Sequence, residues 1–367
     1  MASQPSCDGS SCAFAVPIVN TPPAGIGAIT VVSGNNQSAV VNAAFANPLV
    51  VNVTDSNGKP VANTPVTFTV TSGSASIGTA SPSTDANGNA TTQVTAGGTA
   101  GAVVITAKAG TFSATFNLTV VPPGPSNVVF LNGASFQPGA GAGAIVTIQG
   151  TGIAPNVNGV VTPNNIIGPL PTTLAGVSVT FNGTAAPIFS VSNVNGVQQV
   201  TVQVPYEVAG LTSASVVINT TGGGTGTFTV TLQQFSPGIF TTSLYGVQNY
   251  VVATRADGSF VSPSNPAHRG EIITIFVTGA GQTTPATGTN DAGVPDQSIA
   301  ARIAVGFNNA GTPYISAQTV VGLVGVYAIT LQVPQDTTAG SNRPVGFLVF
   351  DQAGNAYFAN SPVIDIQ

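Results

Sequence analysis

Pro48-Leu-Val-Val-Asn-Val-Thr-Asp55-Ser-Asn57-Gly58 joins a strand-like apolar run, Leu49–Val53, to a tight-turn signal. Asn and Gly tolerate positive φ, so Asn-Gly between apolar runs marks a hairpin. Outward from it, the runs Val66–Val70, Ala90–Thr95, Val103–Ala107 and Ala114–Val120 also read as strands. Asp85-Ala-Asn87-Gly88 and Ala96-Gly97-Gly98 separate them. Short strands at this spacing predict an all-β sandwich over residues 24–122.

Composition extends that reading to the whole chain. Its 367 residues suggest two or three domains, and 43% apolar content is enough for each to bury a core. Val, Thr and Ile are abundant while Lys, Glu, Arg and Met are scarce. β-branched residues lose rotamer freedom in a helix and fit a pleated surface, so the bias is toward sheet. No stretch above ten residues carries a 3.6-residue apolar period.

The charge content is low: 6 basic and 11 acidic residues, a net charge of −5. The surface is therefore mostly Thr, Ser, Asn, Gln and Gly, which repels its own copies weakly. Six scattered cations cannot neutralise a row of phosphates, so no nucleic-acid partner is expected. No apolar run approaches the roughly 20 residues of a membrane span.

Beyond Val121-Pro-Pro-Gly-Pro125, read as a stiff linker, the chain repeats itself. Gly143-Ala-Ile-Val-Thr-Ile-Gln-Gly-Thr-Gly152 is echoed by Gly270-Glu-Ile-Ile-Thr-Ile-Phe-Val-Thr-Gly279. Val177-Ser-Val-Thr-Phe-Asn182 is echoed by Ile303-Ala-Val-Gly-Phe-Asn308, and Val200-Thr-Val-Gln-Val-Pro205 by Ile329-Thr-Leu-Gln-Val-Pro334. The offsets stay between 126 and 129 residues, which predicts two copies of one sandwich, 123–236 and 237–367, with a boundary near Pro237.

Two resemblances follow from these residues. Pro48 to Phe68, with Thr84-Asp85-Ala-Asn-Gly88-Asn-Ala-Thr91, resembles the bacterial Ig-like domain of the invasin and intimin type over about 26–120. That family implies a rigid spacer in surface adhesins, with no chemistry. Pro171-Thr-Thr-Leu-Ala-Gly-Val-Ser-Val-Thr-Phe-Asn-Gly183, Val202-Gln-Val-Pro-Tyr-Glu207, Ser236-Pro-Gly-Ile-Phe240 and Ser262-Pro-Ser-Asn-Pro-Ala-His-Arg-Gly270 resemble an uncharacterised C-terminal domain family of Solibacter-type acidobacteria, over roughly 126–366. It implies large exported proteins with Ig-like halves. The expected fold class is all-β, three tandem immunoglobulin-like β-sandwiches with an extended N-terminal tail, 1–23.

In that tail, Phe14, Val16 and Ile18 alternate with Ala15 and Pro17, a candidate donor strand for a neighbouring subunit. Cys7 and Cys12 read as a small disulfide loop, which implies an oxidising compartment, against the alternative of two free thiols. Met-Ala-Ser-Gln-Pro-Ser has neither the basic nor the apolar region of a signal peptide, yet the composition argues against the cytosol. The expectation is an extracellular or cell-surface protein whose signal is missing from this chain.

Reactive groups are sparse. His268, the single histidine, would need a nucleophile and an orienting acid to act as a base; packing in a loop is the simpler reading. Asp291 and Asp296 lie close in sequence, but an acid in a Gly/Pro-rich loop is first a turn former, as are Asp55, Asp85, Asp257 and Asp351. Glu271 adjoins His268 and Arg269, which predicts a local ion pair. Lys59 in a turn and Lys108 near a strand end argue against an isopeptide crosslink. Six tyrosines and no tryptophan leave Tyr245 and Tyr250 as candidates for stacking on a sugar ring, against core packing. No catalytic residue, metal site or cofactor is predicted. The expected function is a non-enzymatic structural or adhesive protein that self-associates, with a filament built through the N-terminal strand. The alternative is a module binding polysaccharide or a host surface.

Overall fold

The computed structural model describes residues 25–367, so Cys7, Cys12, Phe14, Val16 and Ile18 lie outside the described residues. Among the described residues the only helical element is one 3-10 turn, Tyr206–Val208; every other element is a β-strand. The chain divides into two compact units, one ending at Val121 and the other running Pro122–Gln367.

In the first unit, Ile26–Ser33, Leu49–Asp55 and Asn89–Thr92 form one antiparallel sheet. Thr67–Ser72, Gly101–Ala109 and Phe112–Val121 form the other, with Ser38–Val40 added in parallel at its edge. The opening stretch behaves as alternation requires: Leu49, Val51 and Val53 are buried and the residues between them are only partly so. Phe45, Phe68 and Phe116 fill the space between the sheets, with the Phe68 and Phe116 rings 6.2 Å apart. Each such side chain contributes about 1.5–3 kcal/mol through its burial.

The expected single strand Ala90–Thr95 is two strands. Asn89–Thr92 pairs with Leu49–Asp55, whereas Val94–Ala96 pairs with Ala75–Ile77. The chain changes partner at Gln93, whose carbonyl accepts from the Gly78 N–H and whose amide donates to the Phe45 carbonyl at 2.6 Å.

The second unit holds two cores. One gathers Ile148, Val179, Phe181, Val202 and Val216; the other gathers Tyr250, Ile275, Phe307, Tyr327 and Phe347. The repeated blocks occupy matching strands. Ile145–Thr151 pairs with Val197–Gln203, with Ile145 opposite Gln203. Ile272–Thr278 pairs with Tyr327–Gln332, with Ile272 opposite Gln332. Even a polar pair recurs: the Thr147 and Thr201 hydroxyls lie 3.1 Å apart, and those of Thr274 and Thr330 lie 2.9 Å apart.

The segment between these cores is buried. Ser236, Pro237 and Gly238 are covered on all sides, and the Asn132 amide donates to the Ser236 carbonyl at 2.7 Å. Gly279 closes over the same carbonyl with φ +74°, where a Cβ would sit 1.8 Å from the Ser236 oxygen. Glycine is required there by both conformation and space.

Candidate functional site

The acidic residues serve the backbone. Asp55 accepts from the Asn57 and Lys59 N–H groups and Asp85 from those of Asn87 and Asn89, all at 2.8–2.9 Å. Asp351 does the same for Asn355, whose side chain holds the Asp351 carboxyl below the usual carboxylate range. Asp291 accepts from the Gly288 N–H, and Asp296 sits at φ +60°, as a turn residue does.

The predicted pairing of Glu271 with His268 and Arg269 is corrected. Glu271 Oε1 lies 2.6 Å from Arg255 Nε, and its other oxygen accepts only the backbone N–H of His268. Arg255 also donates to the carbonyls of Phe260, Asn265 and Pro266. A planar guanidinium with several donors ties this loop together, as a lysine cannot. His268 is exposed, and so are Lys59 and Lys108. Among the described residues no three His, Cys, Asp or Glu side chains gather closely enough to hold a metal ion.

The tyrosine pair is brought together but not as a platform. The rings of Tyr245 and Tyr250 meet edge to face at 5.6 Å. Tyr250 is 0% exposed, its hydroxyl accepts from the Asp365 N–H, and burial pushes its phenol up to about 12. A ring sealed in the core offers no face to a sugar, so Tyr250 is withdrawn as a stacking residue.

Sequence reasoning missed two features of the second unit. The first is the seam between its two cores. Tyr206 arises from the Val-Pro-Tyr-Glu motif and lies against Gly143, where a Cβ would meet the ring at 2.3 Å. Its N–H donates to Thr289 Oγ1 at 2.8 Å, and Thr289 donates to Glu207 at 2.5 Å. Asn290 bonds both the N–H and the carbonyl of Leu170, and its own N–H reaches Gln203. The Ile145 N–H donates to Thr278 Oγ1 at 3.0 Å. Burial raises the phenols of Tyr206 and Tyr327.

The second feature is a cleft of ~480 Å³ beside this seam. Asn132 and Asn360 hold its shape. The Asn132 carbonyl oxygen accepts from the Ala134 and Ser135 N–H groups, and Asn360 bonds both the N–H and the carbonyl of Ile239. Gln137, Gln233, Asn249 and Phe358 stand exposed around it. Among the described residues no Asp, Glu, Lys, Arg or His lines it. Ser236 and Pro237, from a motif singled out in the sequence, contribute to its wall.

Comparison with known proteins identifies two stretches. Residues 29–121 match the family model of the bacterial Ig-like domain (group 1), and residues 134–232 match that of the IPT/TIG domain. No curated protein matches the chain. Among solved structures, the chain is similar to a C-terminal 282-residue fragment of intimin in complex with the intimin-binding domain of Tir. That match has 19% identity and a TM-score of 0.33, covering 59% of this chain and 67% of that one. Invasin, a bacterial integrin-binding protein, matches at 16% identity and a TM-score of 0.25 over 88% of this chain and 56% of that one. The Bacteroides ovatus protein SGBP-B, in complex with a mixed-linkage heptasaccharide, matches at 10% identity and a TM-score of 0.28 over 93% of this chain and 70% of that one. Among the described residues no helix is long and apolar enough to cross a membrane.

Proposed function

We propose that this chain is a non-enzymatic structural and adhesive element of the bacterial cell surface or extracellular space. What the titratable side chains do carries the reading. Carboxylates form turns, Arg255 and Glu271 brace a loop, and the buried tyrosines fill cores or seal a seam. The bacterial Ig-like match over residues 29–121 supports the same assignment.

On this reading the tail 1–23 precedes an Ig-like module, 24–122, and two copies of one sandwich, 123–236 and 237–367, of the acidobacterial C-terminal type. Copies of the chain associate into a filament, with the tail strand around Phe14, Val16 and Ile18 completing a neighbour's sheet. Two properties favour association. Among the described residues Ile26–Ser33 has a strand partner along one side only, and Val32 is 56% exposed. The chain also carries only 17 charged residues to keep its copies apart.

Sedimentation velocity of the intact chain and of a chain lacking residues 1–23 tests the assembly. Concentration-dependent growth of the intact chain, lost on truncation, is expected. Equal growth in both rules out the tail as the donor.

A further inference from the structure

We propose that the cleft beside the seam of the second unit binds an uncharged oligosaccharide. This rests on the surface-adhesive reading above and names the chemistry of what is held.

The cleft separates fixed polar groups from available ones. Asn132 and Asn360 are consumed in holding the walls, since both their amide donors and their carbonyl oxygens already have backbone partners. The side chains of Gln137, Gln233, Asn249 and Ser361 have no hydrogen-bond partner among the described residues, and all four are exposed at the rim. Each primary amide offers donors and an acceptor together, and the serine hydroxyl does both. Vicinal sugar hydroxyls need that combination, because each both donates and accepts.

Phe358 supplies the apolar counterpart. It ends the short strand Ala356–Phe358 and is 73% exposed at the mouth of the cleft. An aromatic face packs against the C–H face of a pyranose while the ring hydroxyls point outward to polar partners. The volume, ~480 Å³, lies in the range of small-molecule sites.

The lining also excludes other ligands. A charged ligand would be taken from water with no opposite charge to meet it, since among the described residues no ionisable side chain lines the cleft. A purely apolar ligand would cover Gln137, Gln233 and Asn249 without satisfying them. Walls drawn from both cores, Gln233 from one side and Asn249 from the other, form a site that neither core builds alone.

The test uses the full chain. Isothermal titration is run with neutral cello-, laminari-, malto-, xylo- and mannohexaose, and with acidic oligogalacturonate. Saturable binding of at least one neutral glycan and none of oligogalacturonate is expected. Phe358→Ala and Gln233→Ala should each weaken that binding about tenfold or more. Phe260→Ala, an exposed aromatic outside the cleft, should leave it unchanged, and the near-ultraviolet tyrosine signal should show every variant folded. Absence of neutral-glycan binding, preference for oligogalacturonate, or binding indifferent to both cleft substitutions would overturn the proposal. Sedimentation of the same samples separates the two ideas: a chain that assembles but binds no glycan loses only the cleft assignment.

Discussion

The hydroxyls of Tyr206 and Tyr327 lie 3.1 Å apart, one from each copy of the internal repeat. Both phenols reach the Gly281 carbonyl, Tyr327 donating at 2.6 Å and Tyr206 at 3.3 Å, so the three oxygens form one cluster. Residues 121 positions apart are thereby joined in a largely buried cluster of hydrogen bonds. Together with Thr289, Asn290 and Thr278, this makes the repeat pair one compact unit.

Tyr327→Phe should therefore destabilise the second unit by about 1–3 kcal/mol, because the Gly281 carbonyl loses its shorter, buried hydrogen bond and keeps only the longer one from Tyr206. All six tyrosines lie between residues 206 and 357 and the chain has no tryptophan, so tyrosine signals report this unit selectively. Urea unfolding followed by near-ultraviolet circular dichroism measures the loss. An unchanged midpoint would mean that the hydroxyl contributes nothing.

The same phenols give the unit an alkaline limit. Burial raises Tyr206, Tyr250 and Tyr327 above the ordinary 10.0, Tyr250 to about 12. A neutral acid whose folded pKa is raised stabilises the fold fully below its unfolded pKa, and that contribution fades as pH rises toward the folded value. The phenols' contribution should thus be level below about pH 10 and fall from there toward 12. Phenolate absorbance should show these tyrosines ionising late or together with unfolding.

Gly279→Ala should destabilise by more than about 1 kcal/mol, because φ +74° and the Ser236 carbonyl both oppose a Cβ. Loss of the tyrosine signal at lower urea than wild type checks it. Gly246→Ala is the control: it has a similar φ but open space around it, so it carries the conformational strain alone.

Arg255→Ala should weaken the second unit by about 1.5–3 kcal/mol, the range for hydrogen bonds to charged groups. Arg255→Lys should recover little, because an ammonium cannot reach Glu271 and three carbonyls from one plane. Thermal melts of the two variants distinguish this from a bare charge effect, under which lysine would rescue.

Much of the all-β architecture was readable because half-buried strands write period-two patterns. Leu49–Asp55 and Gly101–Ala109 bury alternate residues, and the repeated blocks carry the same register in both copies. Ile26–Ser33 was not readable: only Ile29 is buried, so there is no alternation to see. The change of partner at Gln93 was hidden for a different reason, since a strand that switches sheets keeps its β-rich composition. The seam and the cleft depend on side chains more than a hundred residues apart, such as Asn132 with Ser236 and Leu170 with Asn290. Core packing was the stronger expectation for the tyrosines, and Tyr250 is 0% exposed, with its hydroxyl accepting from the Asp365 N–H.

Negative-stain electron microscopy of the intact chain across a range of concentrations bears most directly on the proposed role as building material. Linear multi-subunit particles that lengthen with concentration are predicted. A field of uniform single molecules at every concentration would contradict the account.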